Sequence, residues 1–177
     1  MSTTPFLPLP STLSIDAVEQ DAQTLFVHLH MTTQTAPCPK CGVLGSRIHS
    51  HYYRTVADLS CGGQRLVLKL FVRKWICAEA SCSQRIFAER FPDFIRTYAR
   101  MTDRLRDALQ CVGTTINGED GARLFSHLAM PTTGKTIIRY VLQMPLPQDT
   151  PVRVAGVDEC GKLIEGLTVF EGHAHFR

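Results

Sequence analysis

Two pairs of cysteines offer the first chemistry in this chain: Cys38-Pro39-Lys40-Cys41-Gly42 and Cys77-Ala78-Glu79-Ala80-Ser81-Cys82. Thiolates paired at short spacing, two pairs to a site, are what a tetrahedral Zn²⁺ needs. The first pair has the spacing of a zinc knuckle. The second, with four residues between its cysteines, is looser and still permitted. Four thiolates would close the coordination sphere, so the expected role of Cys38, Cys41, Cys77 and Cys82 is structural rather than catalytic. The competing account is unrelated buried cysteines or a redox pair. His49 and His51 alternate on one predicted strand and could be ligands, although surface histidines on a hairpin are the more ordinary account. Cys61, Cys111 and Cys160 lack close partners in sequence and are expected to be small buried residues.

A second group of residues is basic. Residues 47–106 hold twelve Lys/Arg against five Asp/Glu, a net of +7 in a chain whose overall charge is only +3. Arg47, Arg54, Arg65, Lys69, Arg73, Lys74, Arg85 and Arg90 fall in this segment, with tyrosines and Trp75 interleaved. A positive field confined to one segment fits a phosphate-tracking surface; a solvated face is the plainer account. Packing within the hairpin is the expected role of Trp75, ahead of base stacking. Further along, Lys135, Thr136 and Arg139 are outward candidates on a short helix. Asp158 ends a short apolar stretch, where a carboxylate could hold an ion for phosphoryl transfer.

These groups need elements to carry them. Residues 1–14 are rich in Pro, Ser and Thr and read as loose. Alternation over 15–19 and 24–30 predicts two short strands around a turn. Residues 47–54 and 64–76 read as arms of a long hairpin turning at Ser60-Cys61-Gly62-Gly63. Leu66, Leu68 and Leu70 share one face of the second arm, and Arg65, Val67 and Lys69 share the other. Knuckle, hairpin and second knuckle make the plan of a zinc ribbon. From Thr102, a plausible N-cap, the period becomes helical: Leu105, Leu109 and Val112 recur at i, i+4 and i+7. A break at Asn117-Gly118 precedes a second helix over 119–128. Thr133 would cap a third over 134–144. Three short helices with a tight turn between the last two suggest a helix-turn-helix. Pro145, Pro147 and Pro151 read as a linker, and 152–157 as a short strand.

The composition is that of a globular chain: 177 residues, 44% hydrophobic and 20% charged. No apolar run approaches the roughly 18 residues of a membrane span. Met1 to Pro10 has neither the basic nor the apolar region of a signal peptide. The expected compartment is the cytoplasm, where seven cysteines point to metal before disulfide.

Residues 38–92 resemble the N-terminal zinc-finger region of the ISL-three group of bacterial insertion-sequence transposases. The likeness rests on Cys38-Pro-Lys-Cys-Gly42, His49-Ser-His-Tyr-Tyr-Arg54, Ala57-Asp-Leu59 and Gly62-Gly63. It continues through Leu68 to Lys74, Cys77, Cys82 and Arg85-Ile-Phe-Ala-Glu-Arg-Phe91. Residues 98–144 are similar to the helix-turn-helix that follows in that family, through Met101-Thr-Asp-Arg-Leu105, Ala122-Arg-Leu124 and Thr136-Ile-Ile-Arg139. Val154-Ala-Gly-Val-Asp158-Glu159 looks like the strand opening the family's DDE catalytic domain, with Asp158 at the first catalytic carboxylate.

The resemblance implies an α+β chain in four parts: the loose 1–14, a zinc-ribbon DNA-binding domain over 15–92, a helix-turn-helix domain over 93–146, and a linker with the first strand of an RNase-H-like domain over 147–177. After Cys160 the likeness fails, and the rest of the catalytic triad has no counterpart. The expectation is therefore the DNA-binding half of a truncated transposase. It would carry structural zinc and recognise terminal inverted repeats in double-stranded DNA. It would cleave no strand by itself, Mg²⁺ entering only if a full-length partner supplied the missing carboxylates. A regulator of transposition, acting through homo-oligomers or by occupying element ends, is the alternative. Location near the bacterial nucleoid follows, with no membrane partner. A ribbon that binds protein rather than DNA is the plainest competing account.

Overall fold

The computed structural model describes residues 7–45 and 47–145. The predicted strand over 152–157 and Asp158 lie outside the described residues. The described residues up to Val141 form one compact unit that holds both the sheet and the helices described below.

Apolar alternation does produce the first two strands, β1 (Leu13–Gln20) and β2 (Thr24–Met31), paired antiparallel. Asp21 shapes the turn between them. Its carboxylate accepts the N–H groups of Gln23 (2.9 Å) and Thr24 (2.6 Å). These bonds favour its charged form and hold its pKa below the usual carboxylate range. A small antiparallel pair, β3 (Ala36–Pro37) and β4 (Leu44–Gly45), follows. The long hairpin is β5 (Arg47–Cys61) with β6 (Gln64–Ile76), turning at Gly62-Gly63, both at positive φ (58° and 76°). A short strand, β7 (Ile86–Ala88), returns along the end of β6.

The sheet order is β1-β2-β6-β5, with β7 also on β6. β2 runs parallel to β6, matching Val27 to Leu68 and Leu29 to Leu70. The first two strands thus extend the hairpin's own sheet. The pairing buries Val27, Leu29, Val56, Leu66, Leu68, Leu70 and Val72 as one core face, covered by Phe91, Phe94 and Ile95. Leu7 and Leu13 join this core, so the segment expected to be loose is anchored from Leu7 onward. The cause is apolar burial, each such side chain being worth about 1.5–3 kcal/mol.

The helices are α1 (Asp103–Thr115), α2 (Gly118–His127) and α3 (Gly134–Val141). Thr102 caps α1, its hydroxyl oxygen accepting the Leu105 N–H (3.3 Å). Asn117 caps α2 by accepting from the Asp120 N–H (2.9 Å). α2 ends in a Schellman arrangement: Met130 N–H reaches the Phe125 carbonyl (2.8 Å) and Ala129 N–H the Ser126 carbonyl (3.1 Å). α3 stops at Val141 rather than at the expected Met144. Pro145 disfavours helical geometry in the residue before it and gives the helix no continuation. Leu105, Leu109, Phe125 and Ile137 form the helical core. At Gly113 an added Cβ would lie 2.5 Å from Ile137 Cγ2 and 2.6 Å from Val141 Cγ2. The missing side chain is what lets α3 press onto α1.

Sheet and helices are joined at β5. Ala57 N–H donates to the Arg100 carbonyl (2.9 Å), and Thr102 N–H to the Ala57 carbonyl (3.0 Å). Asp58, buried, accepts from the Thr102 hydroxyl (2.6 Å) and from Arg104.

Candidate metal centre and its basic surroundings

The turn between β3 and β4 carries Cys38 and Cys41. Cys38 N–H donates to the Val43 carbonyl (3.0 Å) and Gly42 N–H to the Cys38 carbonyl (2.9 Å). Gly42 sits at φ 75°, a left-handed turn that glycine adopts without steric cost. The other knuckle leaves β6 at Cys77 and re-enters β7 after Cys82. Cys77 N–H donates to the Arg85 carbonyl (2.9 Å). Glu79 ties the loop by accepting from the Ser81 N–H (3.0 Å) and hydroxyl (2.7 Å), which hold its pKa low. Lys40 bonds Ser83 across the two knuckles.

These turns bring the four predicted ligands together. Their sulfurs all lie within 4.8 Å of one another, with Cys38–Cys82 at 4.0 Å and Cys41–Cys77 at 3.5 Å. A tetrahedron with Zn–S of about 2.3 Å has edges of roughly 3.8 Å. A disulfide would need about 2.05 Å, and all four cysteines are free thiols. The donor set and its size fit zinc. Ala36, Trp75 and Phe87 close over it as a separate buried cluster with Cys38, Cys77 and Cys82. Trp75 therefore packs, as the sequence suggested.

The electrostatics call for a cation. Burial pushes the Cys38 thiol up, but the N–H groups of Cys41 and Lys40 and the neighbouring thiols bring it down to about 7. At Cys41 the Val43 N–H pulls down, yet burial and the other three cysteines drive the thiol up to about 12. Burial raises Cys77 as well. Without metal, one thiolate forms readily and the next is opposed by its neighbours. A dication removes that opposition. Zinc must displace protons from Cys41 and Cys77, and from Cys38 below pH 7, so binding strengthens as pH rises. Between pH 8 and 6 the apparent zinc affinity should fall by at least about tenfold per unit, measured by competition with a chelator. A flat profile would contradict the four-thiolate assignment.

Two of the other cysteines differ from the expectation of burial, and Cys160 lies outside the described residues. Cys61 is half-buried and Cys111 is exposed on α1, because position 111 lies off the apolar stripe of Leu105 and Leu109. His49 and His51 are exposed on β5 and outside the metal cluster. His51 packs against Phe71 at 4.9 Å.

The basic residues do not share one surface. Arg54 (opposite Leu70) and Lys74 (opposite Ser50) lie on the leucine face of the ladder; Lys69 and Arg73 lie on the other. Arg65, Lys74, Arg47 and Arg85 are exposed. Lys69 sits over the Phe26 ring at 5.4 Å and Lys74 over Tyr52 at 5.3 Å. Arg73 departs from the phosphate-contact expectation. Its side chain is only 11% exposed, and the guanidinium grips Glu89 through Nε (2.9 Å) and Nη2 (2.7 Å). Its charge is spent holding the β7 segment to β6, over Trp75. On α3, Lys135 and Arg139 are exposed; Thr136 is half-buried and turned to Thr133 (3.0 Å).

Sequence reasoning missed the Asp58–Thr102–Arg104 junction and the arginines at 96 and 100. Both arginines fall in the +7 segment, and charge counting did not separate Arg96, which reaches Asp103 at 4.0 Å, from Arg100, which has no ion pair among the described residues.

Residues 34–82 match the family described as the zinc-finger of transposase IS204/IS1001/IS1096/IS1165. The matched span contains both cysteine pairs and the whole β5–β6 hairpin. The comparisons with curated proteins and with solved structures return no match. No helix among the described residues is long and apolar enough to cross a membrane.

Proposed function

We propose that this chain binds double-stranded DNA as the end-recognising part of an insertion-sequence transposase, in the bacterial cytoplasm. The observation that carries the reading is a four-thiolate site at the foot of a long hairpin, within a span that matches a transposase zinc finger. Zinc would fix the knuckles and so the direction of the hairpin. Lys69, on the face of the hairpin it shares with Arg65, would meet phosphates. The helices α1 to α3 would act as a helix-turn-helix, with α3 in the major groove presenting Lys135 and Arg139. Arg139 is the base reader by preference, since its fork pairs bidentately with guanine. Arg73 has no place in the interface.

Binding of the zinc-loaded protein to an inverted-repeat duplex and to a scrambled one, across a salt series, tests this. Arg139→Ala should cost about 1–3 kcal/mol on the repeat and little on the scrambled duplex. Lys69→Ala should weaken both alike and reduce the salt slope by about one. Equal losses on both duplexes for Arg139→Ala would remove that residue from base reading. No salt-dependent binding to either duplex would favour a protein-binding ribbon.

A further inference from the structure

A cleft of about 870 Å³ runs from the zinc knuckles toward the start of α1, and the reading above makes no use of it. One wall is β5 with the start of β6, contributing Arg54 and Arg65. The other is segment 84–100, contributing Arg90, Arg96 and Arg100. Against these five arginines the lining holds one carboxylate, Glu89, which Arg73 already engages. Arg54 bonds the Ala99 carbonyl across the cleft, and Arg90 bonds the Thr97 hydroxyl within its own wall. Each guanidinium carries five N–H donors, and these contacts leave several free. Arg65 and Arg100 are exposed and, among the described residues, have no carboxylate within ion-pair range.

Tyr98 stands on the rim. It is 89% exposed, the most exposed large hydrophobic side chain among the described residues. Its φ is 62°, a left-handed conformation that a tyrosine adopts only under constraint. The constraint is visible. Ala99 N–H closes a turn onto the Arg96 carbonyl (3.1 Å), and Ala57 N–H pins the Arg100 carbonyl (2.9 Å). A strained residue that buries nothing and displays an aromatic ring between two arginines is better placed for a ligand than for the fold.

We propose that this cleft binds a single strand of DNA, with the arginines along the sugar–phosphate backbone and Tyr98 stacked on a base. A charged groove beside an aromatic platform is how unpaired strands are held without sequence preference. The exposed ring decides for one strand, because only an unpaired base offers it a free face. The cleft volume falls within the roughly 300–1,000 Å³ of ordinary ligand pockets, room for a few nucleotides. The inference extends the DNA-binding reading above to an unpaired strand, and it uses none of the α3 residues.

The test is fluorescence anisotropy of the full zinc-loaded chain with a labelled mixed-sequence single-stranded 15-mer and with its duplex. Tyr98→Gly should weaken single-strand binding about tenfold, the loss of one stacked base. Its thermal stability should hold or rise, because glycine accepts the positive φ, so misfolding would not explain the loss. Tyr98→Phe should keep the affinity. Arg100→Ala should lower the salt slope by about 0.7, one phosphate contact to a single strand. Single-strand binding unchanged in Tyr98→Gly would overturn the proposal, as would losses in Tyr98→Gly and Arg100→Ala confined to the duplex. The two readings fail separately: Arg139→Ala reports on repeat recognition and leaves the 15-mer untouched.

Discussion

Removing zinc exposes Trp75. The chain has a single tryptophan, and it is 1% exposed, packed with Cys38, Cys77, Cys82 and Phe87. That cluster is small, and the metal is what draws its two loops together. Structural zinc in comparable sites contributes on the order of 10–16 kcal/mol to folding near pH 7, as much as a whole domain's net stability of about 5–15 kcal/mol. No packing among so few residues replaces it. A strong chelator should therefore shift Trp75 emission to the red and raise its quenching by iodide, and added zinc should reverse both. Cys77→Ser should show the exposed spectrum at all times. The far-UV signal of the helices should change little, because Leu105, Leu109, Phe125 and Ile137 form a core apart from the knuckles. Complete zinc loss with unchanged Trp75 emission would show that the cluster stands without metal.

The zinc centre was legible because its signal is local. Two cysteine pairs and Gly42 specify their own turns, and alternation along Leu66, Leu68 and Leu70 specifies a buried face. The pairing of β2 with β6 was not legible. It joins residues some forty positions apart in parallel, and no local pattern records which edge a strand will choose. Ranking the arginines failed for a related reason. Arg73 and Arg100 look alike in a charge count. They differ in that Glu89, sixteen residues past Arg73, folds back onto it, while among the described residues no carboxylate reaches the Arg100 side chain. Tyr98 carried no signal either, since its exposure and its φ come from a turn that β5 imposes from outside.

Asp58→Ala should cost about 3–5 kcal/mol and uncouple the helices from the sheet. Asp58 has no exposed side-chain surface. One carboxylate oxygen accepts from the Thr102 hydroxyl (2.6 Å), from Arg104 Nε (2.7 Å) and from the Leu59 N–H (2.8 Å), and the other accepts from Arg104 Nη2. The same Thr102 oxygen caps α1, so one buried group orients a strand, a helix start and a cation. Truncation leaves Arg104, itself only 26% exposed, without its counter-charge, and breaking a buried pair costs about that much. Urea unfolding should show the midpoint drop, with helical circular dichroism lost ahead of Trp75 burial if the α1 end releases first. Asp58→Asn should recover part of the loss, because the amide oxygen still accepts from Thr102 while the ion pair is gone. Should Asp58→Ala unfold at the wild-type midpoint, the junction would be a bystander, and the Ala57 backbone bonds to Arg100 and Thr102 would be left as the link between sheet and helices.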